Sequence, residues 1–488
     1  MKLKSRRSVQ AVLIVVGFVI LSVPLWLKID HLPIRLWDEA RNAVNALEMF
    51  ESGDLTTRTF NNQPETYNLK PPMLTWLQVL SFRVFGVNEL GVRFPSLVAS
   101  LVSLFLVFVW VFLSTKSKWF GFLAIGVTVT SSAFYGEHVS RFGDHDALLI
   151  AFSLLFLIAV YKYSITKQTK FLYIGSTLLA AGVLTKSVTI LMFLPGVFLF
   201  LLLTKNGLPT LKNKHFYLSV LLFFVGVGSY YLLREFNQPG YLSFVWNDEL
   251  FPRYLNKSKN LTFQEPDTLY YINLLVGGSF SYWFWLIPIA VVSLVLNKLQ
   301  NNGFLLACLS AFSFLAIISK GTSNFWYMAP IVPLLAVFVS IGLFTLIKNN
   351  KKLLWISPLL ILGCLFYPYK VAYSYALRST EPHYNLEPYG ISYYLKNELY
   401  VNNLSSKNYI LLDSVYGFEP HLFYSKNIER TKGVVFERKH FGNIKLGDTL
   451  LITHNSTYNW LQKQYSVKTL DSINSYTKRV WIQKKAKK

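Results

Sequence analysis

The chain has 488 residues, 52% of them hydrophobic, and a mean hydropathy of +0.36, which excludes one soluble domain of that length and suits repeated membrane spans. Its formal charge of +23 invites a nucleic-acid partner, but the Lys and Arg residues are dispersed in short runs between apolar segments, so anionic lipid headgroups are the expected partners and nucleic acid is not. Both cysteines, Cys308 and Cys364, lie in apolar stretches, which excludes a disulfide framework and a cysteine-ligated zinc site.

In chain order, the basic opening MKLKSRR precedes an apolar run from Ala11 to Leu27. That run lacks a small-residue cleavage site and reads as an uncleaved first span. Further spans are predicted at 94–114, 119–135, 147–161, 171–185, 187–203, 216–233, 271–296, 304–319, 326–347 and 353–369, for a total of about eleven. The stretch 171–203 would measure about 50 Å as one helix, too long for one crossing, so it is divided at Lys186 into a hairpin with that lysine at its tip. The apolar segment 73–85 is short and interrupted by Arg83, and reads as a helix lying at the interface.

Short basic loops mark the cytoplasmic side. The N-terminus, Lys116 with Lys118, 162–170, 205–214, Lys298 and 348–352 all fall on one side under this parity. The segment 28–72, the loop around Asp144, the tip at Lys186, the loop 234–270, the residues after Lys320 and everything after about Lys370 then face outward. The tail alternates helix-like ISYYLKNEL, strand-like YILLD and TLLITH, and helix-like STYNWLQKQY. The expected architecture is an α-helical polytopic membrane protein with a transmembrane domain at 1–369, a catalytic outer loop at 28–93, and a small extracytoplasmic α/β domain at 370–488.

Candidate chemistry concentrates in the outward segments. In WDEARNAVNALEMFESGD, Asp38, Glu39 and Arg41 open an amphipathic helix that Gly53 ends. Acids at a helix start are common as caps, yet a pair beside a membrane span has no packing reason to be there. In TYNLKPPMLTW, Lys70 stands before a rigid Pro-Pro turn, where an ammonium at headgroup level suits a phosphate as well as it suits snorkelling. SRFGDHDALLIAF sets Arg141, Asp144, His145 and Asp146 at the mouth of a span. Adjacent residues rarely ligate one ion together, so a carboxylate lining a polar cavity is preferred to a metal site. Lys186, in GVLTKSVTI, is an ionisable residue between apolar helices and a functional candidate on that ground. WNDELFPRY adds Glu249, Arg253 and Tyr254, and SKGTSNFWYMAPIVP adds Lys320 and Tyr327. Several cations and a phenol opposite an acidic loop make the inventory for a phosphate leaving group facing a base.

The order WDEAR, ESGD, KPP with its apolar helix, GVNELGVRFPS and a long series of spans resembles the bacterial C-type glycosyltransferases. Within them it is similar to the dolichyl-phosphate-mannose protein mannosyltransferases and the lipid A aminoarabinose transferases, most densely from Leu36 to Ala99 and thinly to about residue 340. The resemblance implies the C-type fold with about 11–13 transmembrane helices, and an inverting transfer of a sugar from a polyprenyl-phosphate carrier to a lipid, glycan or protein acceptor at the periplasmic face of the inner membrane. It implies Asp38 as the catalytic acid of the first loop with Glu39 beside it, Asp146 or Asp144 as the second-loop acid, and Arg41, Lys70, Lys186 between spans, Arg253 and Tyr327 as contacts of the lipid phosphate. Some aminoarabinose transferases carry an acid before the KPP lysine and a histidine after the glutamate equivalent to Glu249, associated with a bound metal. Here Leu69 and Leu250 stand there, so no cofactor is expected, a divalent metal is an alternative that is not favoured, and that particular sugar is in doubt. A flippase or transporter of a polyprenyl-linked lipid is the alternative, and an anchored sensor a weaker one.

Overall fold

A computed structural model describes residues 2–255, 269–296, 301–321, 323–378, 388–400, 408–412, 419–452, 455–472 and 477–485. The chain divides into two compact units that interleave in sequence: Met1–Lys28, Thr66–Leu74 and Arg93–Arg378 in the first, and Ile29–Glu65, Thr75–Val92 and Ser379–Lys488 in the second.

The first unit is helical. Six helical stretches among the described residues are long and apolar enough to cross a membrane: Glu89–Thr115, Asp146–Thr166, Lys170–Leu203, Lys214–Asn237, Phe325–Ile347 and Lys351–Arg378. Shorter apolar helices, Ala11–Trp26, Lys118–Val129, Leu286–Leu296 and Asn302–Ile318, occupy other predicted spans. The molecule is therefore a multi-pass membrane protein. Short polar caps begin several of these helices. Asn213 accepts the His215 backbone N–H at 3.0 Å and Asn301 accepts that of Phe304 at 3.0 Å, each satisfying an N–H that has no partner inside its own helix.

The stretch Lys170–Leu203 is a hairpin, as its length required. The α-helix Lys170–Lys186 stops at Ser187, whose φ of 52° is hostile to a side chain, and a 3₁₀ segment Ser187–Phe193 leads into Leu194–Leu203. Ile190 folds back onto Gly182, where a Cβ would strike its Cδ1. Lys167 at one foot of the hairpin hydrogen-bonds Asn206 at the other. The predicted span 271–296 is instead broken. Helix Tyr270–Gly277 ends at Gly278, and turns bonded through Phe280 and Trp283 precede Leu286–Leu296. The Trp283 indole, 3% exposed, donates to Thr130 Oγ1 at 2.9 Å, so the broken stretch is pinned inside the bundle, a contact that hydropathy does not register.

The second unit joins the outer segment to the C-terminal region. Its five-stranded sheet runs in the spatial order Val435–Lys439, Asn408–Leu412, Thr449–Ile452, Lys478–Lys485, Tyr465–Ser472. The first three strands are parallel, with Ile410 opposite Leu450, and the last two are antiparallel, with Leu450 opposite Val480. Alternation along Thr449–Ile452 sends Leu451 to one face and Leu450 with Ile452 to the other. Helix Asn455–Gln464 covers the latter face through Leu461. Leu451 joins a core shared by helices Asp38–Ser52, Pro388–Tyr400 and Glu419–Lys432, built on Ala43, Leu47, Phe82, Leu395 and Phe423. Helix Met73–Phe85 has 13 residues, about 20 Å, too short to cross a bilayer and suited to its interface.

Candidate functional site

In the first unit a cavity of about 410 Å³ gathers Lys70, Asp146, Lys186, Glu249, Lys320 and Tyr327. Each arrives for a local reason. Lys70 precedes the Pro-Pro turn, and the carbonyl of its neighbour Leu69 accepts the Tyr241 hydroxyl at 3.1 Å. Asp146 is the first residue of helix Asp146–Thr166, where the macrodipole favours an anion. Lys186 closes helix Lys170–Lys186, where the dipole favours a cation. Tyr327 stands on the 3₁₀ segment Phe325–Ile331. The Lys186 Nζ lies 2.6 Å from both Asp146 oxygens and 5.0 Å from the centre of the Tyr327 ring. Two charges taken out of water survive because each is the other's partner, with the aromatic face adding to the cation's side. Of the Asp-Asp choice left by the sequence, Asp146 lines the cavity and Asp144 does not.

Asp144 has a different environment. One oxygen meets His138 Nδ1 at 2.7 Å, and the other accepts the His145 backbone N–H at 2.7 Å and faces its Nδ1 at 2.9 Å. Burial opposes ionisation, but the hydrogen bonds with His138 and His145 and the charge of Lys70 outweigh it and hold the carboxyl well below the usual carboxylate range. His138 stacks on Trp326, ring centres 4.2 Å apart. Arg141 is structural, donating to the carbonyls of Pro24 at 2.8 Å and Leu27 at 2.9 Å, and so ties its loop to the end of the first helix.

Glu249 is 7% exposed, on the π-helical segment Val245–Leu255, and its Oε2 has no hydrogen-bond partner among the described residues. Arg253 belongs to the same segment, but its side chain, like that of Tyr254, lies outside the described residues, as does Lys298. Leu69 and Leu250 pack in an apolar cluster with Tyr231, Tyr241 and Val245. Neither position offers a metal-ligating donor atom, so Leu69 and Leu250 do not reproduce the ligands that the resemblance implies.

The second unit holds Asp38, Glu39 and Arg41. Asp38 is the first residue of helix Asp38–Ser52, half-buried, directly after Trp37 with its φ of 62°. A bulky residue in that left-handed conformation is strained, and strain of this kind clusters at functional positions. Gly53, with φ 72°, closes the helix by giving its N–H to Met49. Glu39 accepts the Arg35 backbone N–H at 2.7 Å and so fixes the turn that presents Asp38. The sequence placed Arg41 with the lipid phosphate. In the structure its guanidinium forms a bidentate pair with Glu65, at 2.9 and 2.8 Å, and covers the Phe60 ring at 4.1 Å, which clamps the short hairpin 59–64 to the helix.

Sequence reasoning missed Glu65 and His138. Glu65 acts through Arg41, distant in the chain, and His138 through Asp144 and the ring of Trp326. The one available hint was a second histidine, six residues before Asp144.

Comparison with known proteins supplies a class. The family profile described as dolichyl-phosphate-mannose-protein mannosyltransferase matches residues 69–231. An uncharacterized protein of Aquifex aeolicus is 25% identical over 332 residues, 67% of this chain and 64% of its own. The undecaprenyl phosphate-alpha-4-amino-4-deoxy-L-arabinose arabinosyl transferase of Shewanella sediminis is 25% identical over 370 residues, 73% of this chain and 63% of its own. The chain thus spans under two thirds of the length of these curated relatives. Among solved structures, ArnT from Cupriavidus metallidurans bound to undecaprenyl phosphate superposes with a TM-score of 0.70 at 16% identity, over 96% of this chain and 97% of that one, a likeness of fold. The chain is thus similar in fold to that glycosyltransferase and, over residues 69–231, to the mannosyltransferase profile.

Proposed function

We propose that the protein is an inverting glycosyltransferase that moves a sugar from a polyprenyl-phosphate carrier to an acceptor at the periplasmic face of the inner membrane. One observation carries this reading: a cavity at helix ends, containing Lys70, the Lys186–Asp146 pair and Tyr327, in a fold like that of a protein solved with undecaprenyl phosphate. In the transfer, an acceptor oxygen bonds to the anomeric carbon from the face opposite the phosphate. The carbon–oxygen bond to the phosphate breaks, and the bonding pair leaves with the polyprenyl phosphate. Lys70 and Lys186 face the growing negative charge as preorganised ammonium groups, with the Tyr327 hydroxyl beside them. The acceptor's proton goes to a carboxylate, here proposed to be Asp38, the acid that the resemblance of the first outer segment implies, worth about 10²- to 10⁴-fold as a general base.

Leu69 and Leu250 provide no metal ligand, and the proposed steps use the chain's own side chains. The relative's aminoarabinose is not carried over, since those two leucines depart from the pattern of transferases that use it. Binding of undecaprenyl phosphate to the purified chain, with and without EDTA, tests the cavity assignment. Binding should survive EDTA and fall by about tenfold or more in Lys70→Ala, the scale of one lost charge-assisted contact. Equal binding by Lys70→Ala would remove the phosphate from this cavity, and loss of binding in EDTA would restore a metal.

A further inference from the structure

A second cavity, of about 430 Å³, lies in the first unit at the opposite end of helix Lys170–Lys186 from Lys186. Its walls come from Asp146–Thr166, the 170–203 hairpin, the short helix Gly207–Leu211 and Lys214–Asn237, and include Phe156, Tyr163, Leu172, Ser176, Thr210 and Phe223. Along Asp146–Thr166 the lining runs from Phe156 to Tyr163, about 10 Å of helix rise. It begins at the loops 162–170 and 205–215 and penetrates toward the middle of the apolar stretch. Its wall on Lys214–Asn237 belongs to a helix whose apolar window is only 11% buried, so the cavity lies beside a lipid-facing surface. The lining is almost wholly hydrocarbon. Water has few polar partners there, and apolar cavities without such partners exclude it.

The mouth has the opposite character. Its two loops carry Lys162, Lys167, Lys170, Lys205, Lys212 and Lys214 with His215, and no Asp or Glu. Lys167, Lys170, Lys205, Lys212 and Lys214 are exposed. One contact places a cation at the opening, Lys170 Nζ 5.3 Å from the Phe171 ring, itself a wall residue, and nearby His215 Nδ1 meets the Tyr173 hydroxyl at 2.8 Å. A hydrocarbon slot beneath a ring of ammonium groups matches an amphiphile with a negative head. Basic pockets between membrane helices bind anionic headgroups in this way, and an acyl chain gains by replacing an empty apolar space.

We propose that this cavity is a binding site for one anionic glycerophospholipid, its acyl chain between Asp146–Thr166, the 170–203 hairpin and Lys214–Asn237, and its phosphate among Lys170, Lys212 and Lys214. The site is separate from the Lys70 cavity and independent of the function assigned to it. Ser176, half-buried on the wall, and Gly175, where a Cβ would make only ordinary contacts at 3.7 Å or more, allow the slot to be filled without disturbing the basic mouth.

The test is native mass spectrometry of the full chain released from vesicles of equal parts phosphatidylglycerol and phosphatidylethanolamine, with a trace of undecaprenyl phosphate. One phosphatidylglycerol should remain bound per chain. Ser176→Phe and Gly175→Leu should each abolish its retention. Lys170→Gln, Lys212→Gln and Lys214→Gln combined should lower the preference for phosphatidylglycerol by about a hundredfold, each lysine being worth about fivefold. Equal retention of both phospholipids by the parent, retention of undecaprenyl phosphate that Ser176→Phe abolishes, or phosphatidylglycerol retained by both filled variants would overturn the proposal. Thermal unfolding of each variant separates loss of the lipid from loss of the fold.

Discussion

Lys186 and Asp146 are the residue pair on which the Lys70 cavity depends. Lys186→Ala leaves the Asp146 carboxylate, 1% exposed, without the ammonium that both its oxygens meet, and breaking a buried pair from one side costs about 3–5 kcal/mol. Thermal unfolding in detergent should register that loss, and a change below about 1 kcal/mol would mean that the pair is solvated. Asp144 makes a second prediction. Its carboxyl titrates lower in the folded than in the unfolded chain, so its contribution to stability is complete above the ordinary carboxylate range and disappears as pH falls through the lowered folded value. Acidification from about pH 4 downward should destabilise the parent more steeply than Asp144→Asn, whereas parallel curves would contradict the ionised, hydrogen-bonded carboxylate. At this scale the sequence was informative where a charge interrupts hydrocarbon, as at Lys186, and silent where a role depends on a distant partner, as with Glu65 on Arg41.

Tyr424 shows what the C-terminal elements contribute to the outer segment. Its buried hydroxyl accepts the Ile34 N–H at 2.9 Å and donates to Glu89 Oε1 at 2.6 Å. Lys396 adds an ion pair to Glu89 at 3.2 Å, and Lys426 one to Glu48 at 2.9 Å. Helix Glu419–Lys432 thereby holds both the turn that leads into Asp38 and the helix that begins with it. Tyr424→Phe leaves a buried backbone N–H unsatisfied, at about 1–3 kcal/mol, and should lower the unfolding temperature while preserving the rest of the unit. An unchanged temperature would show that the tail is not a support for the outer segment. Helix Pro388–Tyr400 and the strands at 408–412 and 449–452 were legible in ISYYLKNEL, YILLD and TLLITH, although Asp413 and the end of TLLITH lie outside the described residues. Glu419–Lys432 was not legible, because EPHLFYSKNIERTK mixes charges with its apolar face. Strands Tyr465–Ser472 and Lys478–Lys485 were not legible either, because charges stand beside and among their apolar positions: Lys468 after Val467, and Lys478, Arg479, Lys484 and Lys485 around Val480 and Ile482.

Over the whole molecule, the proposed function requires the Lys70 cavity to open on the outer side, and loop charge predicts an outer tail as well. A reporter active only in the cytoplasm, fused after Lys488, should be silent, and strong activity would reverse the assignment. Hydropathy located the helices because lipid imposes length and apolarity on every crossing, while the grouping of the outer segment with the C-terminal region follows from packing that no linear pattern records. The central claim is transfer from a polyprenyl-phosphate sugar with Asp38 as base, and the most direct measurement is mass spectrometry of lipid, glycan and protein extracts from cells carrying the parent, Asp38→Asn or no copy of the chain. Asn keeps the size of Asp at the helix start but cannot take a proton as a carboxylate does. The account predicts one sugar modification present with the parent and absent from the other two, with Asp38→Asn folded and still binding undecaprenyl phosphate. A modification made by Asp38→Asn within about threefold of the parent, a barrier change well under 1 kcal/mol, or no difference among the three extracts, would contradict it.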